Sequence, residues 1–353
     1  MKASDVKVLM QLIKETSQFA LFSDKHLCLY PIENFNREKP LVSRRFDEQV
    51  KDLGSIPRGP LLLLCRGQTD LVYTLDKVKL EKLFVFVLPY ESIKLSCSSS
   101  SLFAVLCSDS LSSSSSLHIY DCIGRIEQGS IEHPRRIVDF QFSYTNEHLI
   151  AAVTNEETLL FDTRRRELLK STAGHHRGNL SLAWNKVKDE LYTSGMDRTI
   201  KVFNAELELI AKKPIFENVS LLHHFKLQAH SLLATAFYRN EAGVTVWELP
   251  DLNSALYNSR GEKDSKIVDF DIDPNSLCIV TLTHRGVSVS PLVLCEDSQK
   301  SAPNFACFAF DGRENFCASD QSSAFALFRV AGDPQKFSRS EKLAELPDQS
   351  LNR

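Results

Sequence analysis

Two short stretches near the middle of the chain decide the fold. Residues 174–184 read GHHRGNLSLAW, and residues 190–204 read ELYTSGMDRTIKVFN. Leu180, Leu182 and Trp184 alternate with smaller residues, and apolar residues alternate with polar ones again around Ile200 and Val202. Alternation with a period of two is typical of half-buried β-strands. The two stretches therefore predict strands separated by tight polar turns.

The same unit, an apolar strand followed by two more strands after polar turns, recurs along the chain. Clear copies lie at 137–162, 221–248, 267–289 and 305–328, and weaker ones lie at 19–30, 61–75 and 102–121. The third strands end at intervals of about 39 to 46 residues, which is the size of a four-stranded propeller blade. A β-solenoid or two separate sandwiches would share the alternation, but the spacing favours a propeller.

The clearest copy also carries a family signature. Gly174-His175, Ser194, Asp197 and Phe203-Asn204 resemble the Gly-His, Ser, Asp and Trp-Asp positions of a WD40 repeat. The resemblance implies an all-β WD40-like β-propeller in which His175, Ser194, Asp197 and Phe203 form a structural cluster within one blade. Phe203 stands in place of tryptophan and has no indole N–H to donate, which weakens that cluster. Phe161-Asp162 and Trp247-Glu248 are partial copies.

Eight groups of strands are visible, so the blade count has two solutions. We favour seven blades, with the first and last groups sharing the closure of the ring, over eight. Residues 1–16 are expected to form an N-terminal segment with a short helix or strand, because Val6, Leu9, Met10 and Ile13 recur at helical spacing after Ser4. Residues 17–330 form the propeller, and 331–353 form a loose C-terminal tail with one short element at 341–346.

Composition excludes several classes of partner. The chain has 353 residues, 43% of them hydrophobic and 25% charged, with a formal net charge of −3. That charge gives no general attraction for nucleic acid or for an anionic membrane. No run of residues is long and apolar enough for a membrane-spanning helix, and the N-terminus has no signal-peptide pattern. We therefore expect no nucleic-acid partner and no membrane attachment.

The cysteines point to a reducing compartment. Nine of them are scattered singly at positions 28, 65, 97, 107, 122, 278, 295, 307 and 317, and no Cys-x-x-Cys pair occurs. That spacing predicts neither a zinc site nor a redox motif. An odd number of cysteines without a signal peptide indicates a cytoplasmic or nuclear protein with buried thiols.

Candidate catalytic groups are sparse. The histidine pairs His175-His176 and His223-His224 have no further ligands at metal-binding spacing, so structural roles are favoured. Four aspartates, at positions 139, 269, 271 and 273, supply paired carboxylates, but they alternate with apolar residues as the polar face of a strand does. None of the common nucleophile, phosphate-loop or dinucleotide motifs occurs. We expect no enzyme activity, no metal and no cofactor.

Two charged or polar runs have alternative interpretations. Arg164, Arg165 and Arg166 are either a contact for an acidic or phosphorylated partner or a solvated turn, and the turn is favoured. In the serine-rich segment 96–116, two serine runs flank a strand; the second run, 112–116, is interpreted as an extended, flexible hairpin tip, with a phosphorylation platform as the alternative.

The resemblance implies a scaffold or adaptor in a multi-subunit complex. Such a protein binds peptides or folded domains on its loop faces and is itself monomeric within the hetero-complex. The alternative is a propeller that binds phosphoinositides through a Phe/Leu-Arg-Arg-Gly motif, of which residues 163–167 (TRRRE) are a poor copy. A propeller hydrolase is a third class, for which no substrate can be named.

Overall fold

The computed structural model describes a chain that is almost entirely β-strand. The described residues are 8–23, 25–108, 113–185, 187–215, 218–227, 230–237, 243–249, 252, 255–258, 266–283 and 285–292, with four further strands between 307 and 346. The chain forms two compact units, Met1–Val293 and Leu294–Arg353. Among the described residues, no helix has the length and the apolar composition that crossing a membrane requires.

The first unit contains seven antiparallel sheets, each made of strands that follow one another in the chain. The first three are β1 (Leu9–Ile13), β2 (Gln18–Ser23), β3 (His26–Pro31), β4 (Val42–Arg45); β5 (Gln49–Ser55), β6 (Leu61–Arg66), β7 (Asp70–Leu75), β8 (Lys82–Leu88); and β9 (Ser92–Cys97), β10 (Leu102–Ser108), β11 (Ser115–Asp121), β12 (Ile126–His133). The next two are β13 (Ile137–Phe142), β14 (Leu149–Thr154), β15 (Glu157–Asp162), β16 (Glu167–Ala173); and β17 (Asn179–Trp184), β18 (Leu191–Gly195), β19 (Thr199–Phe203), β20 (Leu209–Pro214).

The sixth and seventh sheets complete the unit. They are β21 (Val219–Leu227), β22 (His230–Phe237), β23 (Val244–Glu248), β24 (Ala255–Asn258); and β25 (Ile267–Asp273), β26 (Cys278–Thr283), β27 (Gly286–Pro291). A single turn of 3₁₀ helix, Lys14–Thr16, follows β1. The second unit is one four-stranded antiparallel sheet of β28 (Cys307–Phe310), β29 (Asn315–Ser319), β30 (Phe325–Val330) and β31 (Ser340–Leu346).

The seven sheets are the blades of a closed ring. The first strand of each blade contacts the first strand of the next, in the order β1, β5, β9, β13, β17, β21 and β25, and β25 contacts β1 again. Closure leaves no blade with an uncovered flat face. The prediction of an all-β, WD40-like propeller with seven blades is confirmed.

Apolar side chains on both faces of each blade build the core between neighbouring blades. Trp184 and Phe203 of blade 5, for example, pack against Ala151, Val153 and Leu160 of blade 4. Each fully buried large side chain stabilises the fold by about 1.5–3 kcal/mol relative to an exposed one. Successive residues of a strand therefore pack alternately against the blade before and the blade after it.

The strand order also gives the ring two distinct faces. Because neighbouring strands are antiparallel, the turns between second and third strands lie on the same side as the links between blades. We call this side the linker face. The turns between first and second strands and between third and fourth strands lie on the other side, the hairpin face.

The structure changes two of the predicted boundaries. Residues Leu9–Ile13, assigned to a separate N-terminal segment, form the first strand of blade 1. Leu9 and Ile13 pack towards blade 2 while Met10 and Leu12 pack towards blade 7, so all of them are apolar and the spacing imitates a helix. Residues 1–7, which include Ser4 and Val6, lie outside the described residues.

The eighth group of strands is not an eighth blade of the first unit. Residues predicted to form it, 305–328, supply β28 to β30 of the second unit. Ser340–Leu346 adds β31 within the segment that was predicted as a loose tail with one short element. The rest of 331–353 lies outside the described residues.

Candidate binding site

The first strands of the seven blades line a central channel with a cavity of about 400 Å³. Each strand presents two positions to the channel, two residues apart. The first level, nearer the linker face, consists of Leu9, Asp52, Lys94, Asp139, Ser181, Leu221 and Asp269. The second level consists of Gln11, Gly54, Ser96, Gln141, Ala183, His223 and Asp271.

Polar side chains at these positions clamp each blade to the next. The acceptor is a channel-facing side chain of one blade. The donor is a backbone N–H of the next blade, from the residue immediately after the one at the same level of the channel. Five bonds follow this rule: Asp52 Oδ2 to Leu95 N at 2.8 Å, Asp139 Oδ2 to Leu182 N at 3.2 Å, Ser181 Oγ to Leu222 N at 3.4 Å, Ser96 Oγ to Phe142 N at 3.4 Å and Gln141 Oε1 to Trp184 N at 3.1 Å. Each such bond contributes about 0.5–1.5 kcal/mol, and more where the acceptor is charged.

Lys94 is a cation at a position where the neighbouring blades have acceptors. Its ammonium pairs with Asp139 Oδ1, and the other oxygen of Asp139 accepts bonds from the Ser181 hydroxyl at 3.2 Å and from Leu182 N. Burial alone would lower the pKa of Lys94, but the negative charges of Asp139 and Asp52 outweigh burial and raise it. Asp139 therefore joins blades 3, 4 and 5 through a single carboxylate.

Asp269 has the same place in blade 7 but a different environment. Its Oδ1 accepts the N–H of Phe270 at 2.9 Å, as Asp139 Oδ1 accepts the N–H of Phe140. The next blade presents Leu9 at this level, and no other hydrogen-bond donor to Asp269 occurs in the described part of the chain. Burial, followed by the negative charge of Asp271, raises the pKa of Asp269 to about 7. Asp269 therefore accepts fewer hydrogen bonds than the other two carboxylates of the first level.

Asp271 closes the ring at the second level. Its Oδ1 accepts a bond from the Lys14 ammonium at 3.1 Å and lies 3.9 Å from His223 Nδ1. Lys14 belongs to the 3₁₀ turn after β1, and its carbonyl accepts a bond from the Asn275 side chain at 3.0 Å. At the contact between the last and first blades, an ion pair between Asp271 and Lys14 therefore lies at the second level, whereas the first level brings Asp269 to the apolar Leu9.

The structure turns the two histidines of the pair in opposite directions and places three of the four predicted carboxylates, Asp139, Asp269 and Asp271, in the channel. His223 faces blade 7, where its ring lies 4.8 Å from that of Phe270, while His224 is buried towards blade 5 and bonds to the Ser231 hydroxyl at 2.8 Å. Asp273 does not reach the channel, because it accepts hydrogen bonds from the following turn. Within the described ranges, no three His, Cys, Asp or Glu residues are grouped as metal ligands.

The predicted blade cluster lies on the linker face of blade 5. His175 Nδ1 is 2.8 Å from Asp197 Oδ1, and His175 Nε2 is 2.9 Å from the Thr193 hydroxyl. Asp197 also accepts the hydroxyl of Thr199 at 2.8 Å. Burial lowers the pKa of His175 despite Asp197, whereas the hydrogen bonds from Thr199 and His175 overcome burial and lower the pKa of Asp197. The geometry is that of an imidazole hydrogen-bonded to a carboxylate, and the lowered pKa of His175 favours the neutral ring.

Two residues assigned to the cluster lie elsewhere. The Ser194 hydroxyl donates to the carbonyl of Val219 in blade 6 at 3.0 Å, so Thr193 takes the place expected for Ser194. Phe203 is buried in the core between blades 4 and 5 and takes no part in the hydrogen bonds. Thr193 and Ser194 are adjacent small hydroxyl residues, so no local signal in the sequence distinguished them.

The arginine run forms a turn on the hairpin face of blade 4. The backbone N–H groups of Arg164 and Arg165 donate to Asp162 Oδ1 at 2.7 and 3.1 Å. The Arg165 side chain lies 3.5 Å from a carboxylate oxygen of Glu167, and the Arg166 side chain lies directly over Gly129 of blade 3. All three arginines are exposed. The run is thus a solvated turn in which two of the three guanidinium groups already have contacts.

The serine-rich segment is partly structural. The Ser98 hydroxyl accepts the N–H of Leu102 at 3.0 Å, and the Ser115 hydroxyl accepts the N–H of Ile137 at 3.0 Å. Both serines are buried. Ser115 and Ser116 of the predicted hairpin tip begin β11, while Ser112, at its start, lies with residues 109–111 outside the described residues.

The comparisons with known proteins agree with this architecture. No protein-family model matches the chain. Over 221 residues the chain is 26% identical to Striatin-4 from Mus musculus, a WD40-repeat protein. The match covers 51% of this chain and 27% of Striatin-4, so the chain spans about a quarter of the length of this relative. The fold is that of a WD40-like propeller.

In this WD40-like propeller, the residue after the third-strand aromatic is a turn cap. Asp162 accepts two backbone N–H groups of its turn, and Asn204 Oδ1 accepts the N–H groups of Glu206 and Glu208 at 3.1 and 2.8 Å. Asp76 and Asp121 do the same in blades 2 and 3. Asp162 and Asn204 are recognisable in sequence because an aromatic residue precedes each, whereas Asp76 follows a leucine and the Tyr120-Asp121 pair went unused.

Proposed function

We propose that this chain is a non-catalytic scaffold subunit that binds protein partners within a multi-subunit complex. The observation that carries the proposal is the closed ring with its inter-blade clamps, because the clamps fix the loops of both faces before any partner arrives. A partner that meets a pre-organised surface loses less binding free energy to the ordering of loops. The WD40-repeat relative supports the same role.

Exposed apolar side chains on the rim also support protein contacts. The fourth strands of blades 2 to 5 each expose such residues just after the hairpin turn: Leu83, Ile126, Leu168, Leu169, Leu209 and Ile210, which are 41–57% exposed. Within blades 4 and 5 the exposed apolar residues are adjacent in pairs, Leu168-Leu169 and Leu209-Ile210, and exposed apolar groups of this kind are candidate contacts for a protein partner.

The contacts of the arginine run do not favour lipid binding. Arg165 is paired with acidic neighbours, and Arg166 packs on Gly129, so neither presents a free guanidinium fork to a headgroup phosphate. We expect no phosphoinositide-dependent binding of the full chain in vesicle flotation. Binding that requires both a phosphoinositide and Arg164 would reverse this preference.

We place the protein in the cytoplasm or nucleus and propose that it is monomeric within its complex. The six cysteines of the first unit whose side chains the structure describes, Cys28, Cys65, Cys97, Cys107, Cys122 and Cys278, are free thiols, as is usual in reducing compartments.

The test is quantitative affinity purification of the full chain under native conditions. We expect proteins that co-elute with the chain at defined stoichiometry, and we expect Leu168→Glu to lose part of them while Ser171→Glu, an equal charge change on the same exposed strand, loses none. A chain that elutes alone from native extracts, with no protein enriched over the tag, would overturn the proposed function.

A further inference from the structure

Three exposed arginines lie on adjacent loops of the linker face. Arg136 is in the link between blades 3 and 4, Arg177 is in the link between blades 4 and 5, and Arg198 is in the turn between the second and third strands of blade 5. We call these three residues the arginine patch. Met196, which is 41% exposed, lies beside them.

Hydrogen bonds hold the loops of the patch together. The N–H of Met196 donates to the carbonyl of Gly178 at 3.0 Å, which ties the loop of Arg198 to the loop of Arg177. The N–H of Gly174 donates to the carbonyl of Glu156 at 2.7 Å, which ties the Arg177 loop to the turn of blade 4. The patch is therefore carried on a fixed framework and not on free loops.

The positive charge of the patch is not neutralised locally. Glu156 and Glu157 are both engaged by Arg135, and Asp197 is engaged by His175. Within the described ranges, the side chains of Arg136, Arg177 and Arg198 make no hydrogen bond or ion pair. Other basic residues on this face do: Arg66 lies 3.9 Å from Glu91, and Lys51 lies 2.7 Å from Asp70.

A further cation lies under the same loop. The Lys201 ammonium donates to the carbonyl of Gly174 at 2.6 Å. The four cations lie on loops that are hydrogen-bonded to one another or on the strand directly beneath them, so they present positive charge on one side of the ring. An anionic segment that lies across these loops would be close to the three arginines of the patch and to Lys201.

We propose that the arginine patch binds an acidic segment of a protein partner, with Met196 as an apolar contact beside the charges. The inference rests on the proposed scaffold function and names the chemistry of one of its partners. Guanidinium groups match carboxylates in two-pronged hydrogen bonds, and unpaired ones on a rigid surface lose little on binding. A nucleic acid is disfavoured because the chain has a net charge of −3 and the patch has no aromatic side chains for base stacking.

The test uses a fluorescein-labelled twelve-residue peptide rich in glutamate with one central leucine, titrated with the full chain in fluorescence anisotropy. The matched probe has glutamine in place of each glutamate. The two variants are R177E/R198E in the patch and R164E/R165E on the opposite face, which change the net charge equally. Thermal melting checks that both variants fold.

We expect R177E/R198E to weaken binding of the glutamate peptide by at least about tenfold, and R164E/R165E to change it less than twofold. The glutamine peptide should not bind, and binding should weaken as salt rises. Equal effects of the two variants, or no binding by the wild type at about 1 mM chain, would overturn the inference. Partners that co-purify with the wild type and equally with R177E/R198E would overturn the patch but leave the scaffold function intact.

Discussion

Replacing Asp269 with asparagine should stabilise the protein at neutral and alkaline pH. The carboxyl group has a pKa of about 7 in the folded chain against an ordinary value of 3.8. Between these values the folded state holds a proton that the unfolded state has released, so stability falls as the pH rises through this window and stays low above it. Asparagine has the same shape, still accepts the N–H of Phe270 and carries no charge at any pH.

The magnitude follows from the size of the shift. At 1.36 kcal/mol per pKa unit, the shift from 3.8 to about 7 corresponds to roughly 4 kcal/mol. The channel is open enough for water to reach Asp269, which reduces the cost of the charge, so we expect D269N to gain about 1–3 kcal/mol above pH 7 and little near pH 4.

The assay is urea unfolding of wild type and D269N at pH 4.5, 6, 7 and 8. Both tryptophans, Trp184 and Trp247, lie in the ring, so their fluorescence reports on its unfolding. Asp52, Lys94, Asp271, Lys14 and His223 also carry or acquire charge around the channel, so the difference between the two proteins at each pH is the quantity to compare.

D139N is the control, because it is the same substitution at the equivalent position of blade 4. Its carboxylate is paired with Lys94, so the change leaves a cation without its partner; because the Lys94 side chain is 43% exposed to the channel, the substitution should cost about 1–3 kcal/mol. The reasoning is refuted if D269N is no more stable than wild type at pH 8, or if its advantage is the same at pH 4.5 and pH 8.

Three further outcomes follow from the structure. Asp197→Ala should cost about 1–3 kcal/mol in urea unfolding because it leaves buried partners unsatisfied, whereas Asp189→Ala, at an exposed position in the same blade, should be neutral within about 0.5 kcal/mol. Gly195→Ala should lower the melting temperature more than Asp197→Ala does, since a Cβ there would overlap the His175 side chain and lie 2.7 Å from a carbonyl oxygen; an unchanged melting temperature would contradict this packing. Burial raises the pKa of Cys65 to about 12, so iodoacetamide at pH 8 should label it only after unfolding, as peptide mapping would show.

Much of the fold was predictable because the signals for it are local. The alternation along residues 190–204 predicts the strands of a blade. The repeat of such units at intervals of about 39 to 46 residues predicts that several blades follow one another in a propeller. The first strand was misassigned because Leu9, Met10, Leu12 and Ile13 are apolar on both sides, and apolar periodicity does not separate a doubly covered strand from a helix.

The cluster in blade 5 was predictable only in part, for a different reason. The Gly-His and Asp positions are recognisable in sequence, but Thr193 and Ser194 are adjacent small hydroxyl residues, and only one of them bonds to His175. Neighbouring residues of a strand point to opposite sides of the sheet, so the choice between them depends on how β18 is oriented in the blade.

The channel shows why its electrostatics could not be derived from local sequence at all. Residues 137–140 and 267–270 both read IVDF, and both place the aspartate in the same position with Oδ1 on the following N–H. Asp139 then meets Lys94 and Ser181, while Asp269 meets Leu9, because those partners come from the neighbouring blades. The same four residues thus give a paired carboxylate in one blade and a carboxyl group with a pKa of about 7 in the other. The difference arises from ring closure, which brings the last blade against the first, so the chemistry of the channel belongs to the order of the blades and not to any single repeat.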